Sequence, residues 1–455
     1  MAYDLDRLGW FQFQQLCTRL MELDSGIPEQ AWTGEADRRR FARVEAGIGP
    51  PLLAYWLPGP VMIQTAWKAP VLGTRVSAAV KRLAFEQTEQ LRGMTSYLLV
   101  CNGELEPPLR EPAKEAGLHV GAMGTRELGA RIDANAALRL SMPSLLGLRR
   151  LDELIDAEAA ARSSLDRRAV NELAEVFVPT RAYQRALSVL GEHRFAVLTG
   201  PPEMGKTAIA RMIGLAKMTA GWEAYECTSP DEVARVRDPA ARQVFIADDA
   251  FGSTEYRADA AERWAREMER LLRSLDDRHW LIWTSRPAPL HAALRRLHRE
   301  RGAERFPAPA RILVDAGDLD VAEKTLILLR HGKAARLPEW TRRKLRLRGP
   351  AVVENPHFTP ERIRRLMVTL RRGEATVSDA ITAQLTTPTA AMATSLEALA
   401  DEHRDLLVAL LDTPPGPVPE RELVAALRRH HDGSLSHPPA ELVDRLADHF
   451  LRVTG

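Results

Sequence analysis

The chain of 455 residues is poor in several features, and each shortage excludes something. Its three cysteines, Cys17, Cys101 and Cys227, are far apart and odd in number. They build neither a disulfide framework nor a zinc pattern, and read as small buried apolar residues. An excess of one charge is missing too: 63 basic against 61 acidic side chains leave a net +2. That balance carries no global nucleic-acid signature and confines any basic surface to a local patch. No uninterrupted apolar run approaches the ~20 residues needed to span a bilayer. The opening MAYDLDRLGWFQF lacks a basic-then-apolar signal pattern. These absences predict a soluble, cytoplasmic chain with no membrane partner. Internal repeats and low-complexity segments are also lacking. What the chain does have is 45% hydrophobic residues, enough to supply the cores of roughly three domains at about 150 residues each.

One stretch organises the rest. Phe195 to Thr207 reads FAVLTGPPEMGKT: a short apolar run, then Gly200, four residues, Gly205, Lys206 and Thr207, and then the helix-like AIARMIGLA. Strand, glycine-bounded loop and helix in that order make a phosphate cradle. Backbone N–H groups of the loop and helix start surround a polyphosphate, Lys206 reaches its outer phosphates, and the Thr207 hydroxyl ligates magnesium. The candidate nucleotide-binding residues are therefore Gly200, Pro201, Pro202, Glu203, Met204, Gly205, Lys206, Thr207 and Ala208, and the expected cofactors are ATP and Mg²⁺.

Two later strands are expected to complete the chemistry. Gln243–Ala247 enters Asp248-Asp249-Ala250-Phe251-Gly252, and an apolar strand ending in acids places a carboxylate beside the magnesium of Thr207. Asp248 is assigned to the metal, directly or through water, and Asp249 to orienting or deprotonating the attacking water. After a charged helix over Ala258–Ser274, the strand His279–Thr284 leads to Ser285-Arg286-Pro287. The planar, permanently charged fork of Arg286 suits phosphate oxygens. Asp249, Lys206 and Arg286 are the catalytic candidates.

Elsewhere the patterning is coarser. Apolar spacing predicts a helix over Leu8–Leu23, apolar runs follow at Pro51–Leu57 and Val61–Trp67, and an amphipathic helix is expected at Ser77–Leu91. A strand at Ser96–Cys101, a helix near Leu109–Ala116 and a strand at Leu118–Val120 complete a small α/β domain over 1–148, with TGEADRRR as a turn. Arg149–Glu175, free of Pro and Gly, reads as a helical connector (149–176). Thr180 can cap the helix before the phosphate-loop strand, itself part of a core over 177–315 that includes a strand at Trp222–Cys227. A basic helical region (316–375) contains TRRKLRLR and ERIRRLM around NPHFTP, with Pro360 in a first turn capped by Thr359. Helices at Leu396–Leu411, Glu420–His430 and Ala440–Leu451 fill 376–455, and His430-His431 have no ligand-spaced acids or cysteines beside them.

GPPEMGKT, VFIADDAFG and LIWTSR together resemble the STAND ATPases of bacteria, signal-transducing relatives of AAA+ ATPases, and NPHFTPERI resembles their helical lid. The resemblance implies an α/β fold: a P-loop NTPase three-layer α/β/α core, a helical lid and a winged-helix-like C-terminal region. It also implies that Arg286 contacts the γ-phosphate, that Val178 and Pro179 lie against the adenine, and that Pro360 touches nucleotide from the lid; packing alone would explain Val178 and Pro179 equally well. The N-terminal region resembles the restriction-endonuclease-like fold of Mrr-type nucleases, with Asp37 as the metal-binding aspartate. WFQFQQLC, however, has glutamines in place of a glutamate, and Ile63-Gln64-Thr65-Ala66 puts Ala66 in the lysine slot, with Lys68 one pair further along. The expected state is a degenerate module without nuclease activity. The whole resemblance implies a slow ATPase and a nucleotide-dependent switch in bacterial conflict or anti-phage defence. Such a switch binds ATP and ADP, forms a homo-oligomer when ATP-bound, and answers a DNA or protein trigger. The alternatives are an ATP-regulated DNA-binding protein and an ATP-dependent nuclease. The absence of a repeat sensor array after the winged-helix candidate suggests a truncated chain, a fragment, or a member that senses through a partner.

Overall fold

The computed structural model describes residues 3–33, 39–67, 74–75, 91–106, 110–112, 118–149, 154–155, 157–252, 258–287, 289–291, 293–294, 309–373, 375–386, 396, 399–413, 418–431 and 435–446. They fall into two units, Met1–Ile155 and Asp156–Gly455.

In the first unit, helix α1 (Trp10–Ser25) buries Phe13, Leu16, Cys17 and Leu20, the i, i+3, i+4, i+7 stripe expected from sequence. Strands β1 (Trp32–Thr33), β2 (Arg39–Val44), β3 (Val61–Ala66), β4 (Ser96–Cys101), β5 (Arg110–Pro112) and β6 (His119–Met123) form one sheet in the order β1-β2-β3-β4-β6-β5. β3, β4 and β6 run parallel, and the strands outside them pair antiparallel. Side-chain alternation divides the sheet into two faces. Val61, Ile63, Leu98 and Val100 share a core with α1, whereas Met62, Ala66, Tyr97 and Leu99 pack in a separate core. Helices α2 (Thr125–Ala134) and α3 (Ala136–Ser141) follow β6.

Two expectations for this unit change, and the placement of the glutamines is resolved. The segment read as a helix near Leu109–Ala116 contains β5 at Arg110–Pro112, on the sheet edge. Pro112 deprives a helix of a donor, and an edge strand tolerates that loss. The turn-like TGEADRRR gives way to β2, which starts at Arg39. Gln64 and Ala66 alternate with the residues that face α1, so the first-helix glutamines and the Gln64–Ala66 slot belong to opposite faces. Asp37, Lys68 and most of the helix expected at Ser77–Leu91 lie outside the described residues.

The second unit has a five-stranded, all-parallel sheet of β7 (Phe195–Thr199), β8 (Glu223–Glu226), β9 (Gln243–Ala247), β10 (His279–Thr284) and β11 (Leu313–Asp315), in the order β8-β9-β10-β7-β11. β7, β9 and β10 are apolar and buried on both faces, as parallel strands covered by helices must be. At its centre Trp283 of β10 meets Phe195, Phe251 and Trp264 edge-on or tilted, at 4.9, 5.0 and 5.1 Å between ring centroids. Each such pair stabilises by about 0.5–1.5 kcal/mol beyond the area it buries.

The connector contains two helices, α4 (Ala157–Arg162) and α5 (Arg167–Val176). Ser163 and Ser164 break it because they bond the edge strand: the Ala224 and Glu226 amides donate to their hydroxyls at 2.9 and 2.8 Å. Asp166 then caps α5 by accepting from the Arg168 and Ala169 amides. Thr180 caps α6 (Arg181–His193) in the expected way, its hydroxyl accepting from the Tyr183 amide at 3.4 Å.

Beyond the phosphate-loop helix α7 (Lys206–Met218), α8 (Pro230–Val236) and α9 (Ala258–Ser274), the lid helices are α10 (Val321–Ala334), α11 (Glu339–Val353), α12 (Pro360–Arg372) and α13 (Val377–Thr386). Their shared core runs from Val178 through Ile327, Leu345 and Ile363 to Leu385, past residue 375. Three further helices, α14 (Asp401–Leu411), α15 (Glu420–His430) and α16 (Pro439–Leu446), share another core. Among the described residues this region holds no strand, so the wing of a winged helix is not seen. Leu399 and Ala400 are not helical, and the helix expected from Leu396 starts at Asp401. His430 and His431 do have acid partners, supplied by Asp412 at the C-cap of α14 and Asp405 within it rather than by local spacing.

Candidate functional site

The site is built where β7, β9, β10 and β11 end side by side. β7 runs into Gly200, whose φ of 133° suits only glycine, and a Cβ there would sit 2.9 Å from Asp315 Oδ1. Gly205, with φ 87°, precedes α7. Between them Glu203 takes a left-handed φ of 66° despite its side chain. Lys206 folds back over the loop and donates from Nζ to the carbonyls of Gly200 and Pro201 at 2.8 and 2.7 Å. Burial pushes its pKa down to about 8, against the pull of Asp249. A polyphosphate offers this ammonium stronger acceptors than two carbonyls.

The acid turn follows β9. Asp248 is exposed, and its Oδ1 accepts from Thr207 Oγ1 at 2.7 Å and from Thr284 Oγ1 at 2.6 Å. Thr284 also accepts from the Asp249 amide at 2.8 Å, and its carbonyl accepts from the Ala250 amide at 3.0 Å. These bonds hold Asp249 in a left-handed conformation, φ 45°, while the fully buried Phe251 anchors the turn on Trp283. Burial, and then the neighbouring Asp248, raise the Asp249 carboxyl, with Arg286 and Lys206 opposing. Burial lowers Arg286, opposed by Asp249 and Glu203. The Ser285 amide donates to Leu198 O at 3.0 Å, fixing the strand end that carries Arg286 beside the phosphate loop.

A cavity of about 910 Å³ opens here, within the range of small-molecule sites. Pro202–Ile209, Asp249 and Arg286 line its polar end, and Val178, Ile327 and Met367 its apolar end. Of the expected base contacts, Val178 and Pro360 line it and Pro179 does not; Gly200, Pro201 and Asp248 are also outside the lining. The donor set fits magnesium: the Thr207 hydroxyl and Asp248 carboxylate are hard oxygens at bonding distance from each other, leaving the remaining positions to water and phosphate oxygens. No group of three or more His, Cys, Asp or Glu able to hold a metal by itself occurs among the described residues.

Four residues escaped the sequence reading. Thr284 joins both aspartates, yet its only signal is its place at the end of β10. Asp315 at the end of β11 crowds Gly200. Phe177 lines the apolar end, and so does His331, whose pKa burial and Arg364 push down to about 4. A sequence gives no spacing rule for contacts between strands so far apart.

A glycine loop on a parallel sheet, with its lysine, threonine and acid turn, is the arrangement of P-loop nucleotide-binding domains. Residues 177–334 match the family described as novel STAND NTPase 3, which supports a STAND P-loop NTPase in this segment. Similar solved structures include a Walker-type ATPase of Pyrococcus abyssi (15% identity, 63% of this chain and 98% of that one, TM-score 0.36). RuvB of Thermotoga maritima (16%, 61% and 84%, 0.31) and the Orc1 protein of Aeropyrum pernix in complex with DNA (12%, 61% and 86%, 0.34) are also similar. No curated protein matches the chain. Among the described residues no helix is long and apolar enough to cross a membrane.

Proposed function

We propose that the chain binds ATP and ADP with Mg²⁺ and works as a nucleotide-dependent switch, changing conformation and assembling into a homo-oligomer in the ATP state. The observation that carries this reading is the linkage Thr207–Asp248–Thr284–Asp249 beside Lys206 and Arg286. It couples the metal position, the water-activating position and a γ-phosphate contact at one end of the sheet. In this reading Thr207 and Asp248 hold magnesium, Asp249 orients the attacking water, Arg286 meets the γ-phosphate, and hydrolysis is slow. Val178 and Pro360 face the nucleotide, and Pro179 packs behind. A role in bacterial conflict or anti-phage defence follows from the STAND likeness. The first unit acts as a degenerate module without nuclease chemistry, since its buried polar groups are divided between two faces.

A second reading, ATP-regulated nucleic-acid binding, is favoured by one feature of α11. Arg343, Lys344, Arg346 and Arg348 are exposed there with no acid partner among the described residues, next to the 60% exposed Trp340. Measuring ATP and ADP affinity together with mass in solution tests the switch. Micromolar or tighter binding with a larger particle in ATP than in ADP is expected. A monomer of unchanged mass in both nucleotides would reject the oligomerisation step.

A further inference from the structure

The fourth residue of the phosphate loop is tied to the lid. Glu203 sits in a left-handed conformation that L side chains enter at a cost, with its side chain only 10% exposed. Arg365 of α12 places Nη1 3.1 Å from Glu203 Oε1, near enough to pair though not aligned for a hydrogen bond. Arg362, only 9% exposed, brings Nε to 3.7 Å from Oε2, and Thr359 Oγ1 donates to the same oxygen at 3.4 Å. Both arginines are held from behind: Arg362 donates to Gln384 O at 3.2 Å and Arg365 to Glu361 Oε1 at 3.0 Å. A carboxylate this secluded is costly to bury unless paired, and beside the charge of Arg286 it has Arg362, Arg365 and Thr359 at the lid helix as close partners. That same helix lines the cavity through Pro360, Glu361 and Met367.

We propose that Glu203 is a positioning residue that locks the lid onto the phosphate loop, so that the lid remains seated over the apolar end of the cavity and bound nucleotide leaves slowly. The inference rests on the nucleotide-binding reading above. Glu203 acts mainly through the lid, although its charge also reaches Arg286, so cutting the tie from the lid side at Arg365 should speed dissociation while leaving association nearly unchanged. Its strained backbone supplies a control, because glycine at this position relieves the conformation and still cuts the tie.

The test is stopped-flow displacement of a fluorescent ADP analogue from the full chain and from E203Q, E203G, R365Q and E203Q/R365Q, each checked for cooperative melting. Dissociation about tenfold faster in every single variant, association of R365Q within about threefold of the parent, and a double variant no faster than its faster parent are expected. Unchanged dissociation in folded single variants, or effects that multiply in the double variant, would overturn the tie. An E203G as slow as the parent would reduce Glu203 to a backbone role and overturn it as well. If E203Q does not fold, R365Q and E203G carry the same comparison. Failure of the parent chain to bind the analogue would instead remove the nucleotide reading, and this inference with it.

Discussion

The two units each bring buried polar side chains to a sheet, and they treat them differently. At the end of the second sheet a single hydroxyl, Thr284 Oγ1, donates to Asp248 and accepts from the Asp249 amide, and Lys206 has both of its carbonyls. In the first unit Gln14 Nε2, Gln64 Nε2 and Arg40 Nε are buried with no hydrogen-bond partner among the described residues. Gln14 belongs to α1 and Gln64 to the face away from it, so the amides cannot meet. Polar residues make a site when strand ends converge at one end of the sheet, though even there Thr199 Oγ1 lacks a partner among the described residues. When alternation sends them to opposite faces each finds at most a local partner, as Gln64 Oε1 does in the Tyr97 hydroxyl and Arg40 Nη1 in Thr18, and the atoms left over cost stability.

Substitutions can break or sharpen that contrast. The largest effect is expected at Asp249→Asn: nucleotide binding is kept, while ATP hydrolysis slows by about 10²–10⁴-fold, the usual worth of a positioned base. A phosphate-release assay beside a binding titration checks it, and Asp248→Asn should instead raise the magnesium needed. Lys206→Ala should weaken ATP binding by about 100-fold, since a charge-assisted bond is worth roughly 1.5–3 kcal/mol. Because Lys206 titrates near 8 and must be charged to hold phosphate, affinity in the parent chain should be full below that pH and fall as pH rises through it. Isothermal titration at pH 7 and 9 reads both effects.

Smaller changes test the packing side of the contrast. Thr284→Val keeps the shape but strips Asp248 of a donor and the Asp249 amide of its acceptor. It should destabilise by about 1–3 kcal/mol, visible as a lower melting temperature with the transition of the second unit affected first. Gln14→Leu removes an amide that has an unpartnered N–H₂ already, and stability should shift by no more than about 1 kcal/mol, in either direction. A loss at Gln14 as large as that at Thr284 would erase the distinction between the two sheets.

The legible parts of the chain were those whose physics is local. Phe195–Thr207 and Gln243–Gly252 carry strand, turn and helix signals within a dozen residues, and α9 announces itself by period. The strand Arg39–Val44 was missed because RRFARV mixes cations into an antiparallel pair near the sheet edge, where charge does not argue against a strand. Ser163 and Ser164 broke the connector through bonds to a strand some sixty residues away, a partner no local pattern reveals. Thr284 and the pairing of Glu203 with α12 are hidden in the same way. His430 and His431 found their acids in a neighbouring helix and at its C-cap, and not along their own.

The strand order has a consequence for how freely the site can vary. β10 lies between β7 and β9, hydrogen-bonded along both edges, so the phosphate loop and the acid turn are two interstrand steps apart, about 9.5 Å. Main-chain bonds set that span, and no side-chain exchange alters it. The sheet is in effect a ruler, and the residues at its end are marks that can be rewritten. On the proposed reading, changing Asp249 or Arg286 trades hydrolysis for mere binding, while the span between the two turns stays the same.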